Sequence, residues 1–299
     1  MSVDLHTHTL RSDGNLSPEA LIRKAYAAGI RVLSITDHNY TEDLTKLRKI
    51  AADFPEGLAL IQGAEVSALY TDSTGTEAEL HIVALGFDPE NPGMKALLEQ
   101  SRPDRRPYIE AFLKRLREEC GIDLGSYDEI RAHFPDTPYI GKKALAALME
   151  KKGITTTAEE AFDVYLGRQG KAHVESPLRY FPLEEVLHRI YQAGGIPILA
   201  HLLYYRWNRE DRIHFQENDR LLARFHALTV GAGKTAGMEV HYGRYTALQR
   251  EYLEACAHKF GLLISAGSDY HGQQAWETLA PGAPCSACGE LLARLGVSP

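Results

Sequence analysis

The sequence predicts an α/β fold on a parallel sheet, open or closed into a barrel, with one small helical subdomain inserted. Three observations lead there. Short apolar runs alternate with amphipathic helical stretches at both ends of the chain, the pattern of repeated strand-loop-helix units. Many of those apolar runs end in a histidine or an acid. Residues 88–171, in between, are charged and helical throughout.

Taken in order, a strand over Val3 to Leu5 ends at His6. Ser17-Pro18-Glu19 then supplies an N-cap, a proline at the first helical position and an early acid. That helix continues through Leu21, Ile22, Ala25 and Tyr26 and stops at Gly29. A second strand, Val32 to Thr36, leads into Asp37-His38, and Leu44, Leu47, Ile50 and Ala51 repeat at helical spacing. The run Leu58 to Gly63 reaches Glu65, with Glu79-Leu80-His81-Ile82 as the far arm of a hairpin. Asp88-Pro89-Glu90-Asn91-Pro92 reads as a loop that opens the insertion. Helices are expected there over Met94 to Gln100, Pro107 to Cys120, Tyr127 to Phe134, Gly141 to Lys152 and Thr157 to Leu166. The alternation resumes with a helix over Leu183 to Ala193 and strands at Ile196 to Ala200 and Met238 to Val240. A helix over Thr246 to Phe260 and a strand over Leu262 to Ser265 complete it.

Bulk properties narrow the function. The 299 residues suffice for two average domains or one barrel with an insertion. Hydrophobic content of 44% and charged content of 24% fit a globular chain. No apolar stretch is long enough to span a membrane and the N-terminus is not a signal peptide, so the expected compartment is the cytoplasm. A net charge of −7 argues against coating nucleic acid by bulk electrostatics, although bound divalent cations would create a local anion site. Four cysteines are too few and scattered for a disulfide scaffold; Cys285-Ser286-Ala287-Cys288 is a lone CxxC, read as free thiols. Gly231-Ala232-Gly233-Lys234-Thr235 lacks the leading glycine of a P-loop.

The chemistry lies at the strand ends. Alternation along an extended segment points His6 and His8 the same way. Asp13 sits in the turn Ser12-Asp13-Gly14; Asp37-His38, Glu65, His201, and Asp269 with His271 finish other strands. C-terminal strand ends of parallel α/β folds converge on one face, where active sites form. Acids and imidazoles gathered there need a partner, since unpaired buried charge is costly, and divalent metal is the obvious one.

These stretches, His6-Thr7-His8 with Ser12-Asp13-Gly14, Thr36-Asp37-His38, Gly63-Ala64-Glu65, Leu80-His81, Leu199-Ala200-His201 and Gly267-Ser268-Asp269-Tyr270-His271-Gly272, resemble the PHP (polymerase and histidinol phosphatase) family of amidohydrolase-like barrels. The resemblance implies a distorted (β/α)7 TIM-like barrel from residues 1–87 and 172–299, with 88–171 inserted as a substrate cap. It implies three divalent ions, manganese, iron or zinc, with manganese favoured. His6, His8, Glu65 and Asp269 would hold the first; Glu65 would bridge to a second completed by His81 and His201; Asp13, His38 and His271 would hold the third. Asp37 would stand beside them as a supporting acid or a base.

The activity implied is hydrolysis of a phosphate monoester by a hydroxide shared between ions. His241, at another strand end, is either the acid that protonates the leaving group or a polar neighbour. The branch resembled most closely includes 3′,5′-nucleoside bisphosphate phosphatases and exonucleases acting on short 5′-phosphorylated nucleic-acid ends. A histidinol-phosphate phosphatase is the enzymatic alternative, and a non-catalytic metal-binding module the alternative of another class. Where the branch carries a phosphate-binding Gly-Arg-Pro-His stretch, this chain has Gly141-Lys142-Lys143-Ala144. Lys142 can meet phosphate only as a point charge, and Arg105 and Arg106 are candidates to assist. Tyr204 and Arg206, just after His201, are candidates to frame a base. Leu202 replaces the usual proline after the Ala-His pair. The expected partner is a small phosphorylated metabolite or nucleotide; no membrane and no obligate protein partner are expected.

Overall fold

A computed structural model describes residues 2–102, 105–135, 140–167, 169–175, 180–208, 212–273, 277–279 and 283–297. The chain divides into two compact units, Met1–Ser101 with Tyr180–Pro299, and Arg102–Arg179.

The first unit carries the described strands, in two sheets. Strands β1 (Ser2–Asp4), β2 (Ile30–Ser34) and β3 (Ala59–Ile61) are parallel and lie in that order. The second sheet is built from β4 (Gly63–Thr71), β5 (Glu77–Leu85), β6 (Phe181–Pro182), β7 (Ile196–Leu199), β8 (Gly237–Tyr242) and β9 (Leu263–Gly267), in the order β6-β4-β5-β7-β8-β9. The β4–β5 hairpin and the β5–β7 pair are antiparallel; the others are parallel.

The two sheets are not closed into one cylinder, which departs from the expected TIM-like barrel. A few backbone links join them: Leu5 N–H to Ala266 O, Asp269 N–H to His6 O and His8 N–H to Tyr270 O on one side, Glu65 N–H to Thr36 O and Asn39 N–H to Glu65 O on the other. β1 has only three residues, and beyond β1 and β2 the pairing is reduced to isolated bridges, Thr7 with Tyr270 and His38 with Glu65. Both seams run through ligand-bearing segments, so the interruption falls at the site.

Local sequence explains the surrounding helices. α1 (Pro18–Ala27) begins where the Ser17 side chain accepts the Ala20 N–H, and α2 (Leu44–Ala52) where Asp43 accepts that of Thr45. α3 (Pro92–Ser101) buries Met94, Leu97 and Leu98 among residues of β4, β5 and a later helix. The division therefore falls after Ser101 rather than at residue 88, because the apolar face of α3 belongs to the sheet-bearing core.

The second unit holds α4 (Arg106–Cys120), α5 (Tyr127–His133), α6 (Lys142–Lys151) and α7 (Ala158–Ala161), the last running into a π turn over Phe162–Leu166. Its core is apolar, with Ile109, Phe112, Leu116, Leu145, Met149 and Leu166 fully buried. A capping box of Ser126 and Glu129 starts α5, and Gly121, at φ 67°, ends α4 in the left-handed region.

α8 (Leu183–Gln192), α9 (Phe215–Leu228), α10 (Ala247–Phe260) and α11 (Gly289–Arg294) return to the first unit. Cys285 and Cys288 are free thiols packed in an apolar cluster of this unit, where burial pushes Cys288 up to about 12. Among the described residues no helix is long and apolar enough to cross a membrane.

Candidate metal centre

The nine expected ligand residues converge in the first unit, most of them at or near a strand end, with His81 in the middle of β5 and Asp13 in the turn before α1. His6 and His8 follow β1, with ring centroids 5.1 Å apart. His38 follows β2, His201 follows β7, and Asp269 and His271 follow β9. Glu65 and His81 come from the hairpin, whose register sets Ser67 opposite His81. Residues two apart share a face, so Glu65 and His81 are diagonal neighbours.

Glu65 is the hub. Its Oε1 lies 3.2 Å from His6 Nε2, 2.8 Å from His81 Nδ1 and 3.1 Å from His201 Nε2. Its Oε2 lies 3.3 Å from His8 Nε2 and 2.9 Å from His38 Nδ1. Asp269 Oδ1 stands 3.1 Å from His8 Nε2 and 3.5 Å from His6 Nε2. Asp13 Oδ1 stands 3.1 Å from His271 Nε2 and 3.6 Å from His38 Nε2.

Among the described residues, close donors group in three sets: His6, His8, Glu65 and Asp269; His8, Asp13, His38 and His271; and His38, Glu65 and His81. The first matches the set expected for one ion. His8 and His38 each belong to two sets, more shared than the sequence suggested. His201 contacts the Oε1 side of Glu65 together with His81, their ring nitrogens 3.2 Å apart.

Electrostatics describes a site short of positive charge. Burial pulls His6 down, but Glu65, Glu239 and Asp269 outweigh it and hold the ring well above its ordinary value. Against the same burial, His81 is raised to about 10 by Glu65 and Glu79, and His271 to about 9 by Asp13 and Asp269. His8 moves the other way: burial lowers it, and His271, stacked at 4.1 Å, adds to that. Burial would raise Glu65, yet His81, His38 and His6 drive it well below its ordinary value; Asp13 and Asp269 are lowered similarly by neighbouring histidines.

The donor set suits a divalent cation. His6 Nε2, His8 Nε2 and Glu65 Oε2 are buried and make no hydrogen bond, despite facing one another at close range. Such atoms are expensive to bury unless something accepts their lone pairs. Imidazole with carboxylate is the ligand chemistry of manganese, iron and zinc.

Supporting residues hold these donors in place. Asp37 is buried, but its Oδ1 accepts the Thr9 N–H at 2.8 Å and the Ser12 hydroxyl at 2.5 Å, and its Oδ2 the Thr9 hydroxyl at 2.6 Å. It pins the loop that carries Asp13, a geometry that leaves it poorly placed as a base. His241 is half-buried and lowered first by burial; its charged neighbours are Glu254 and Arg250 on α10, not the cluster. Sequence reasoning missed Glu239, whose Oε1 is 2.7 Å from His6 Nδ1 and whose Oε2 accepts the His201 N–H at 2.7 Å. It also missed Tyr242, whose hydroxyl donates to Asp269 Oδ2 at 2.8 Å, and Glu79, 3.2 Å from His81 Nε2. A lone acid in the strand Gly237–Tyr242 was the only available signal for Glu239.

Strain concentrates here. Among the described residues three non-glycines have positive φ: Asn39 at 49°, His201 at 28° and Asp269 at 53°. All three follow strands at the cluster. Strain persists where surrounding contacts over-determine a functional geometry.

The expected substrate contacts fare differently. Arg206 pairs with Asp72 and donates to Thr76 O at the tip of the β4–β5 hairpin. Tyr204 is exposed, 5.4 Å from the Tyr242 ring, with the Arg244 guanidinium 5.7 Å from its centroid. In the second unit Arg106 is engaged by Glu110 and Asp128, Arg105 immediately precedes α4, and burial lowers Lys142.

Comparison with known proteins agrees with this geometry. A family model described as PHP domain matches residues 4–193. A 5′-3′ exoribonuclease of Haemophilus influenzae is 32% identical, the match covering 91% of each chain. A 3′,5′-nucleoside bisphosphate phosphatase of Chromobacterium violaceum is 29% identical over 90% of this chain and 87% of its own. Among solved structures, an amidohydrolase of Chromobacterium violaceum with bound sulfate and no metal superposes with a TM-score of 0.73 at 29% identity, covering 98% of this chain and 97% of its own. With the family model spanning more than half the chain, and the strand-end cluster in place, this protein belongs to the PHP domain family.

Proposed function

We propose that the protein is a metal-dependent phosphoesterase that hydrolyses a phosphate monoester of a nucleotide, either a 3′,5′-nucleoside bisphosphate or a 5′-phosphorylated oligonucleotide. One observation carries the reading: five imidazoles surround the buried Glu65 carboxylate within 3.3 Å, two of them with lone pairs that nothing accepts. The names of the relatives, a bisphosphate phosphatase and an exoribonuclease, support the substrate class.

His6, His8, Glu65 and Asp269 would hold one ion, Glu65 with His81 and His201 a second, and Asp13, His38 and His271 a third, manganese favoured. Bound there, divalent ions would lower the pKa of water and neutralise phosphate oxygens. The chain itself fixes the donors: Asp37 steadies the loop of Asp13, Tyr242 orients Asp269, and Tyr205 braces the strand of His81 by accepting its N–H at 3.2 Å. Glu65 is the catalytic residue of the set, since its Oε1 meets His6, His81 and His201 while its Oε2 meets His8 and His38. Tyr204, with Arg244 over its ring, is the aromatic best placed to meet a base.

Phosphate release from the manganese-loaded protein tests the proposal. The panel holds 3′,5′-nucleoside bisphosphates, mononucleotides, 5′-phosphorylated oligonucleotides and histidinol phosphate. Turnover of the nucleotides is expected; release of neither phosphate nor mononucleotide from any member, with ions bound, would end the phosphoesterase reading. Histidinol phosphate as sole substrate would redirect it.

A further inference from the structure

We infer that Glu239 is a positioning residue that sets the metal-binding face of His6 and the backbone of His201 together, so that one buried carboxylate aligns donors from two strands. The inference rests on the metal-centre reading above. Glu239 lies in β8 and is 1% exposed. Its Oε1 is 2.7 Å from His6 Nδ1, while its Oε2 accepts the His201 N–H at 2.7 Å. An ionised carboxylate only accepts hydrogen bonds. With an ion bound, His6 Nδ1 therefore carries the one ring proton and the lone pair lies on Nε2, the atom aimed at Glu65 and Asp269 and left without a hydrogen bond. Partners on the distal nitrogen of a ligating histidine fix its tautomer and ring orientation in this way.

The second oxygen has a separate task. His201 sits at φ 28°, strained for a residue with a side chain. Its N–H is anchored on Glu239, which holds that backbone while the ring reaches Glu65. The packing leaves little play. A Cβ at Gly267 would come 2.3 Å from His6 Cβ and 2.5 Å from Glu239 Oε1, so the β9 backbone closes over the pair. The β8–β9 register shifts between Glu239 and His241, and such irregularities re-aim side chains.

Glutamine is the discriminating replacement. It keeps the shape but offers one acceptor oxygen, enough for His6 or for the His201 amide. If its NH2 faces Nδ1, the imidazole must carry its proton on Nε2 and can no longer bind an ion.

The experiment is a double-mutant cycle read by calorimetric titration of manganese(II) alone into metal-free protein, with folding checked by circular dichroism. Glu239→Gln is expected to weaken the tightest manganese site about 10- to 100-fold. Combined with His6→Ala, it should cost less than the product of the two single losses, because both act through one ring. Wild-type affinity in Glu239→Gln, or losses that multiply, would overturn the inference and leave a merely structural ion pair. If Glu239→Gln does not fold, Glu239→Asp takes its place, one methylene short but still an acceptor. Weakened binding with losses short of the product would again support the inference, and wild-type affinity or multiplying losses would again overturn it. Manganese binding that follows the cycle without hydrolysis of any phosphoester would overturn the proposed function and not this inference. Hydrolysis with undiminished affinity in the variant would do the reverse.

Discussion

The core of the helical unit and the cluster around Glu65 are both buried, and they are buried for opposite reasons. Phe112, Leu116 and Met149 leave water for contact with one another, at no electrostatic cost. His6, His8 and Glu65 are equally inaccessible, yet their facing atoms find no hydrogen bond. The first core is complete as it stands. The second gathers donors that repel, desolvate or protonate one another until a cation takes their lone pairs. A buried region that is not self-satisfied is a binding region.

The sharpest way to break this contrast is to remove the hub. Glu65→Gln should lower kcat/KM at least about a thousandfold, on the order of 4 kcal/mol, and cut the ions per chain counted by mass spectrometry. Turnover within tenfold of wild type would show that Glu65 is not shared. In the other region Leu116→Ala should cost about 2–5 kcal/mol of stability in denaturant titration. Manganese stoichiometry per folded chain should not change; a loss of ions would erase the distinction between the regions.

Metal removal comes next. Saturating manganese at about a hundredfold above Kd should stabilise the chain by about 2.7 kcal/mol over the chelated form, seen as a rise in Tm. Hydrogen exchange should place the added protection at the strand ends of the sheet-bearing unit. Gly267→Ala, which forces a contact with His6 and Glu239, should cost about 1–3 kcal/mol and weaken metal binding as well.

The smallest effect concerns pH in the metal-free chain. His81 and His271, raised to about 10 and about 9, contribute stability fully below the free-imidazole value of 6.5 and lose it as pH rises through 9 to 10. Glu65, Asp13 and Asp269 are lowered, so their contribution holds above the ordinary carboxylate range and fades as pH falls below it. Metal-free Tm should therefore peak between those limits and decline toward pH 10. Loaded protein should bind ions less tightly as pH falls, because protons compete for the imidazoles. A metal-free Tm that climbs steadily from pH 7 to 10 would refute the charge pattern.

Much of the site is legible in the sequence because ligand chemistry depends on residue identity, and identity is what a sequence records. His6, His8, Glu65 and Asp269 stand near strand ends that the apolar runs mark. The position of Asp37 has a physical reason within reach. Neighbours in an extended segment point apart, so Asp37 and His38 could not both face the ions, and Asp37 turns instead to Thr9 and Ser12. Glu239 could not be found, since nothing local distinguishes an acid that grips a histidine from far along the chain. Helix α3 shows the same limit in packing. Periodicity identifies its apolar face of Met94, Leu97 and Leu98, but not which core that face joins. Sheet closure depends on registers between distant strands, and past β1 and β2 that pairing is reduced to isolated bridges.

The positive φ angles of His201 and Asp269 carry a consequence for changing this protein. Elsewhere a residue in the left-handed region is an invitation to stabilise by substituting glycine, which relaxes the backbone at no steric cost. Here the two strained residues are also donors to the cluster, and glycine has no donor to offer. Comfort of the chain and possession of the ligand are mutually exclusive at those positions. Selection or engineering for heat resistance must therefore act elsewhere, in helices and the apolar cores, and a more thermostable relative should still carry this local discomfort unchanged.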